Sequence, residues 1–234
     1  MNPARQRYED QIERLNPEQH RAVMAGDGAV LVNAGAGTGK TRVLTVRIAH
    51  LIHSGRVRPD EILAVTFTNK AAREMRERVE DLVGTVADRI VMGNFHSISM
   101  RMLRDHAEEC GLRNERFQVA DEDDQKIICE KAMERVGIAD PKATETRNGV
   151  KHSADWKADL KFYHRQIQSW KSQGLTPDDV ATAVAAGQRK NPNDALAVYR
   201  AYQLELLERN LCDFADLILH MVALFRRRPE MARE

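Results

Sequence analysis

The chain has 234 residues, 42% of them hydrophobic and only 5% aromatic, which is enough apolar material for one or two domains with a buried core and excludes a disordered polypeptide. Charged residues make up 30%, yet the two signs nearly cancel at a net charge of +1, so a nucleic-acid surface has to be a local patch.

In chain order, residues Met1 to Gln19 are rich in charge and lack an apolar core segment, so no secretory leader is expected. Residues Ala29 to Thr41 follow, reading Ala-Val-Leu-Val-Asn-Ala-Gly-Ala-Gly-Thr-Gly-Lys-Thr. This predicts a short apolar strand running into a glycine-rich phosphate loop, Ala34-Gly35-Ala36-Gly37-Thr38-Gly39-Lys40-Thr41, with Ala34 where the strict pattern has glycine. Glycines let the backbone curl with its amides pointing inward, where side chains would block the approach of a phosphate. Lys40 then offers a point charge to terminal phosphates and Thr41 a hydroxyl to magnesium, so the loop predicts a polyphosphate ligand with Mg2+. The apolar positions from Val43 to Ile52 predict a helix whose positive end faces the same anion.

Two more apolar runs, Ile62 to Thr66 and Arg89 to Met92, predict buried parallel strands alternating with helices, and hence a doubly wound α/β domain. From about Asp105 the pattern turns helical, with helices predicted over Gln125 to Val136, Asp155 to Ser172, Asp178 to Ala186 and Ala195 to Asn210. Polar breaks at Gly137 to Ser153, Gly174 to Pro177 and Gly187 to Asn193 separate them. A last helix is predicted over Asp213 to Arg228, with Asp213 as N-cap and an apolar stripe through Leu217, Met221, Leu224 and Phe225.

Between Lys142 and Lys171, seven basic residues outnumber three acidic ones, with Trp156, Phe162, Tyr163 and Trp170 interleaved. A basic aromatic surface grips nucleic-acid backbone, but the helical spacing of Trp156, Tyr163 and Trp170 favours a core for this block. Cys110, Cys129 and Cys212 form no Cys-x-x-Cys pair, which fits neither a disulfide framework nor a zinc site and points to a reducing, cytoplasmic setting. The longest apolar stretch, Leu217 to Phe225, is interrupted by His220 and is too short to span a bilayer, so no membrane partner is expected.

Four segments in this order resemble the UvrD/Rep/PcrA group of superfamily-one DNA helicases: Leu15-Asn16-Pro17-Glu18-Gln19, the phosphate loop, Ala64 to Met75, and Gly93-Asn94-Phe95-His96-Ser97. The segment Cys212 to Ile218 resembles that group's return from an inserted helical subdomain. The resemblance implies a RecA-like P-loop NTPase domain carrying an inserted all-helical subdomain. Its first part would cover 1–108, the insertion 109–210 and the return 211–234.

The same resemblance implies that Gln19 reads the adenine edge and that Arg42 stacks on its face. It further implies single-stranded DNA contacts by Phe67, Thr68 and Asn69, by Lys70 and Arg73 on the following helix, and by Asn94, Phe95 and His96. Phe67 as a core residue and His96 as a buried structural histidine stay open, and Arg76 and Arg78 read as solvated residues paired with Glu74, Glu77 and Glu80. The group usually has threonine in place of Asn94.

A motor of this kind needs an Asp-Glu pair at the end of a further strand, and the acidic clusters Asp121 to Asp124 and Asp178-Asp179 read instead as helix caps. The sequence therefore reads as the amino-terminal portion of an ATP-dependent 3′–5′ DNA helicase. Its partners would be ATP, single-stranded DNA or a single-strand/duplex junction, and the remaining helicase domains, with little hydrolysis by this portion alone. The alternative is a truncated nucleotide- or DNA-binding regulatory module without motor activity. A phosphate-loop kinase lacks a lid-like arginine pattern.

Overall fold

The computed structural model describes residues 2–140, 143–146, 149–151 and 153–232. It divides into two compact units, Met1–Ile98 and Ser99–Glu234.

The first unit opens with α1 (Pro3–Glu13) and α2 (Pro17–Met24), followed by α3 (Lys40–His53). The strand β1 (Leu63–Thr66), the helix α4 (Asn69–Val83) and the strand β2 (Val91–Asn94) complete it, and α5 (Phe95–Asp105) starts there. Asn16 begins α2 and Thr68 begins α4, each accepting a helix amide on its side-chain oxygen. In α4 the residues Ala72, Met75, Val79, Leu82 and Val83 are buried, one helical stripe facing Val46, Ala49, Ala64 and Ile90. The strands β1 and β2 are parallel and in register from Leu63 with Val91 to Thr66 with Asn94.

The second unit continues α5 and adds β3 (Gln118–Ala120), α6 (Glu122–Arg135), the antiparallel hairpin β4 (Thr144–Thr146) with β5 (Gly149–Lys151), and α7 (Ala154–Ser172). After these come α8 (Pro177–Ala185), α9 (Ala195–Glu208), β6 (Leu211–Asp213) and α10 (Phe214–Arg227). The strand β6 lies parallel to β3. Two apolar clusters fill the unit. One is built from residues 120–206, among them Trp156, Tyr163, Trp170, Tyr199 and Tyr202. The other joins Leu103, Leu112 and Phe117 to Cys212, Leu217 and Leu224.

The six helices with predicted bounds, α3 and α6 to α10, fall close to them, and β1 lies within its predicted run, while α1, α2 and α5 had no predicted bounds and the other strands depart from expectation. Residues Ala29 to Asn33 form no strand, because none of the described strands pairs with them, and Leu31 is 95% exposed. The strand predicted at Arg89 begins at Val91, since residues up to Arg89 close a short 3-10 turn. The polar break after Gly137 holds the β4–β5 hairpin, and the β3–β6 pair lay in segments too short and too mixed to show a strand period. Lys171, counted with the basic surface, is fully buried, and Lys142 and Arg147 lie outside the described residues.

Candidate functional site

The glycine loop closes on the first turn of α3. Gly37 and Gly39 have φ of 76° and 83°, the left-handed region that glycine enters without strain, and Gly39 is the N-cap of α3. Its Cα is also tightly approached: a Cβ there would lie 3.1 Å from Gln19 Nε2 and 4.0 Å from Arg42 Cβ. The Lys40 ammonium donates to the carbonyls of Ala34 (2.9 Å) and Gly35 (2.6 Å), and the Thr38 hydroxyl donates to Gly35 O at 2.8 Å. Thr41 is exposed beside them.

Gln19 is held at both ends of its amide. Its Oε1 accepts from the Asn16 amide at 3.1 Å while its Nε2 donates to Thr38 O at 3.0 Å, so the capping box that starts α2 is hydrogen-bonded to the phosphate loop. A cavity of about 340 Å³ lies here, lined by Asn16, Gln19, Ala34, Gly35, Thr38 and Lys40. Arg42 points to a different neighbour, donating from Nε to Gln11 Oε1 at 2.9 Å and from Nη2 to Gln11 O at 3.5 Å. Arg47 lies further along α3. Its guanidinium takes the carbonyls of Ala22, Val23 and Ala25 at the end of α2, which fixes α2 against α3.

The second group of residues sits at the carboxyl ends of β1 and β2, where open α/β sheets bind ligands. Thr66 and Asn94 are in register at the ends of β1 and β2, and the residues that follow them, Phe67 and Phe95, are 91% and 61% exposed. Phe67 is therefore not core, and His96 is exposed rather than buried. Lys70 and Arg73 are exposed on α4 with Asn69 at its start.

Two of the polar residues have structural work. The Thr68 hydroxyl accepts from Ala71 N at 3.1 Å, and Asn94 Oδ1 accepts from Ser97 N at 2.8 Å, capping α4 and α5 respectively. Arg76 donates to Met92 O at 3.2 Å, tying α4 to β2, in place of the glutamate pairing expected from helical spacing. Gly93 has no room for a side chain, since a Cβ would come within 2.7 Å of Ser97 Oγ.

The second unit contains a buried ionic network of a different kind. Lys171 Nζ lies 2.7 Å from Asp213 Oδ2 and 2.7 Å from Asp216 Oδ1, with all three side chains at most 1% exposed. Gln168 and the Tyr202 hydroxyl also donate to Asp213. Burial pushes the Asp213 carboxyl up, but the Lys171 ammonium, with the bonds from Lys171, Gln168 and the Asp216 amide, outweighs it and holds the group at about 2. Burial lowers His164 and His220 from their ordinary value. It raises Cys129 to about 12 and lifts Cys110 and Cys212 as well, so all three thiols are unreactive core groups.

A glycine loop of this sequence closing on a helix, beside a parallel strand pair with exposed aromatic ends, defines the class: a phosphate-loop α/β protein. The family follows from comparison, because the family model described as the UvrD/REP helicase N-terminal domain matches residues 15–234, and the chain belongs to that family. The match carries with it a RecA-like fold. A probable DNA helicase II homolog of Rickettsia felis is 41% identical over 229 residues, covering 96% of this chain and 32% of the relative. The ATP-dependent DNA helicase PcrA of Staphylococcus epidermidis is 39% identical over 224 residues, 94% of this chain and 27% of the relative. PcrA of Staphylococcus aureus is 38% identical over 230 residues, 94% and 28% respectively. The chain thus spans about a third of the length of these curated relatives, or less. No helix among the described residues is long and apolar enough to cross a membrane.

Proposed function

We propose that the chain is the ATP- and single-strand-binding amino-terminal portion of an ATP-dependent 3′–5′ DNA helicase. The observation that carries this is the pairing, within one unit, of the phosphate loop with two register-matched strands that are directly followed by exposed Phe67 and Phe95. Aromatics at strand ends stack on bases without regard to sequence, and Asn69, Lys70 and Arg73 stand beside them for phosphates.

The residues present fit a magnesium nucleotide. Gly37 and Gly39 leave backbone amides unobstructed, Lys40 would trade the carbonyls of Ala34 and Gly35 for phosphate oxygens, and Thr41 would ligate the metal. Gln19 and Arg42 flank Gly39 and would meet the base. Bound ATP supplies the phosphoanhydride whose cleavage powers such motors.

The insertion reading, with 1–108, 109–210 and 211–234 as its three parts, is supported by the two apolar clusters of the second unit. The buried members of one span residues 120–206, and the other joins α10 to the end of α5 and the segment after it. The exposed apolar segment at Val30, Leu31 and Val32 supports a sheet position for this stretch beside strands other than those described. Free, buried thiols support a reducing cytoplasmic setting.

Catalysis by this portion alone should be poor. Among the described residues, β6 ends in a carboxylate, Asp213, and that group is tied to Lys171, Gln168 and Tyr202. Without a carboxylate to activate water, general-base help of about 10²–10⁴ in rate is missing. The test combines calorimetry with Mg-ATP, anisotropy with a single-stranded oligonucleotide and steady-state phosphate release. Binding of both ligands with slow turnover is the expected result. DNA-stimulated turnover at about 1 per second or faster, the low end of ordinary enzyme rates, would overturn the inactivity. Tighter binding to duplex than to single strands would favour the regulatory DNA-binding module instead.

A further inference from the structure

The helix α1 lies before residue 15, where the match to the family model begins. It is fixed to the first unit by contacts along its length. Ala4 is buried, Arg7 Nε donates to Asp81 O at 2.7 Å, and the Tyr8 hydroxyl meets His50 Nδ1 at 2.8 Å. At its last turn, Gln11 accepts two bonds from Arg42, one on Oε1 and one on its backbone carbonyl.

A guanidinium donates hydrogen bonds in its own plane and stacks through its faces. Both bonds to Gln11 run from one edge, Nε and Nη2, so they fix the orientation of the plane without engaging its faces. The neighbouring space is open, a cavity of about 440 Å³ lined by Gln11, Arg14, Arg42, Thr45 and Arg78. Next to the loop, Gly39 is flanked both by the root of Arg42 and by the Gln19 amide. A free arginine would lose considerable side-chain freedom on stacking, and one already held at its edge loses less.

We propose that Gln11 is a positioning residue that orients the Arg42 guanidinium as a platform for the adenine base, making α1 part of nucleotide specificity. The proposal rests on the reading of Arg42 as a base-stacking residue. Because Ala4, Arg7 and Tyr8 anchor α1 independently, replacing Gln11 should leave the helix docked.

Calorimetric titration with Mg-ATP and with magnesium tripolyphosphate separates base from phosphate recognition. Gln11→Met keeps volume and helix propensity while deleting the side-chain acceptor. It should weaken ATP about three- to tenfold, the size of one cation–π contact, and leave tripolyphosphate unchanged. Gln11→Glu, which still accepts from Arg42, should retain ATP affinity. The double variant Gln11→Met/Arg42→Ala should bind ATP no more weakly than Arg42→Ala alone, since the two residues act as one unit.

An equal loss for both ligands would mark Gln11 as merely structural. Additive losses, or no change in Gln11→Met, would show that Arg42 works without it, and either result overturns the proposal. An Arg42→Ala variant with intact ATP affinity would refute the base role of Arg42, and with it that of Gln11, while retained tripolyphosphate binding keeps the phosphate loop. A wild-type chain that binds neither ligand overturns both readings. Circular dichroism checks folding, and if Gln11→Met does not fold, Arg42→Lys decides: it keeps the charge but not the plane, and ATP affinity equal to wild type would sink the idea.

Discussion

Each unit holds one lysine whose environment is the opposite of the other's. In the first, Lys40 is exposed and bonded only to loop carbonyls, and Phe67 projects into solvent from a strand end. In the second, Lys171 is fully enclosed and neutralised by Asp213 and Asp216, with Gln168 and Tyr202 completing the shell. An exposed ammonium can exchange partners at little cost, which a ligand site requires. A buried one cannot, because breaking its pairs leaves uncompensated charge in a low dielectric. One lysine is thus available for binding and the other is committed to the fold.

The largest test of that contrast is Lys171→Ala. It strands two carboxylates in the interior and should destabilise the second unit by about 3–5 kcal/mol, read as lost hydrogen-exchange protection at the amides of α7 and α10. Lys40→Ala should leave stability within about 0.5 kcal/mol, since its side chain is exposed. It should nevertheless weaken ATP binding about tenfold or more through lost charge-assisted bonds to phosphate. Unchanged ATP affinity in calorimetry would contradict the loop assignment.

Phe67→Ala follows in size. It should cost about 1–3 kcal/mol in single-strand affinity with little change in salt slope, and leave the melting temperature unchanged because the ring is 91% exposed. Unfolding of this variant would make the ring a core residue after all.

A pH titration sharpens the contrast further. Burial depresses His164 and His220 below the ordinary 6.5, so the unfolded chain takes up protons first as pH falls. Their contribution to stability is complete above about pH 6.5 and declines as pH drops below it. Asp213, held at about 2 against an ordinary 3.8, contributes stability above 3.8 that is lost as pH falls toward 2. His50 in the first unit shifts the same way, chiefly by burial, so the measurement belongs at α7 and α10, and His220→Gln should flatten the slope there between pH 7 and 5.

The smallest effect separates phosphate contacts from stacking. Lys70→Ala should lower the salt slope of oligonucleotide binding by about one. No change would place the backbone contact elsewhere.

How far these features could be read in advance depended on whether their cause was local. Helix positions were legible because period and caps are written in neighbouring residues: Asp213 caps α10 and Asp121 caps α6, as their spacing implied. Trp156, Tyr163 and Trp170 recur at helical intervals and are all buried. The phosphate loop was equally plain, since Gly37 and Gly39 mark the positions where the backbone takes positive φ.

What a residue touches across the fold was not legible. Lys171 looked like one more cation in a basic stretch, and only packing of α7 against β6 and α10 placed two carboxylates around it. Arg76 looked set to pair along its own helix and bonds a strand carbonyl instead, and Arg42 is drawn to a helix that precedes the loop by more than twenty residues. The apolar segment at Leu31 has strand composition without a strand neighbour, and a strand exists only where another backbone pairs with it. The sequence by itself determined the later helices, their caps and the glycine positions of the loop, because those follow from period, capping and backbone preference among residues close together in the chain. Tertiary structure alone decided the partners of Lys171, Arg42 and Arg76, because each depends on segments brought together from distant parts of the chain.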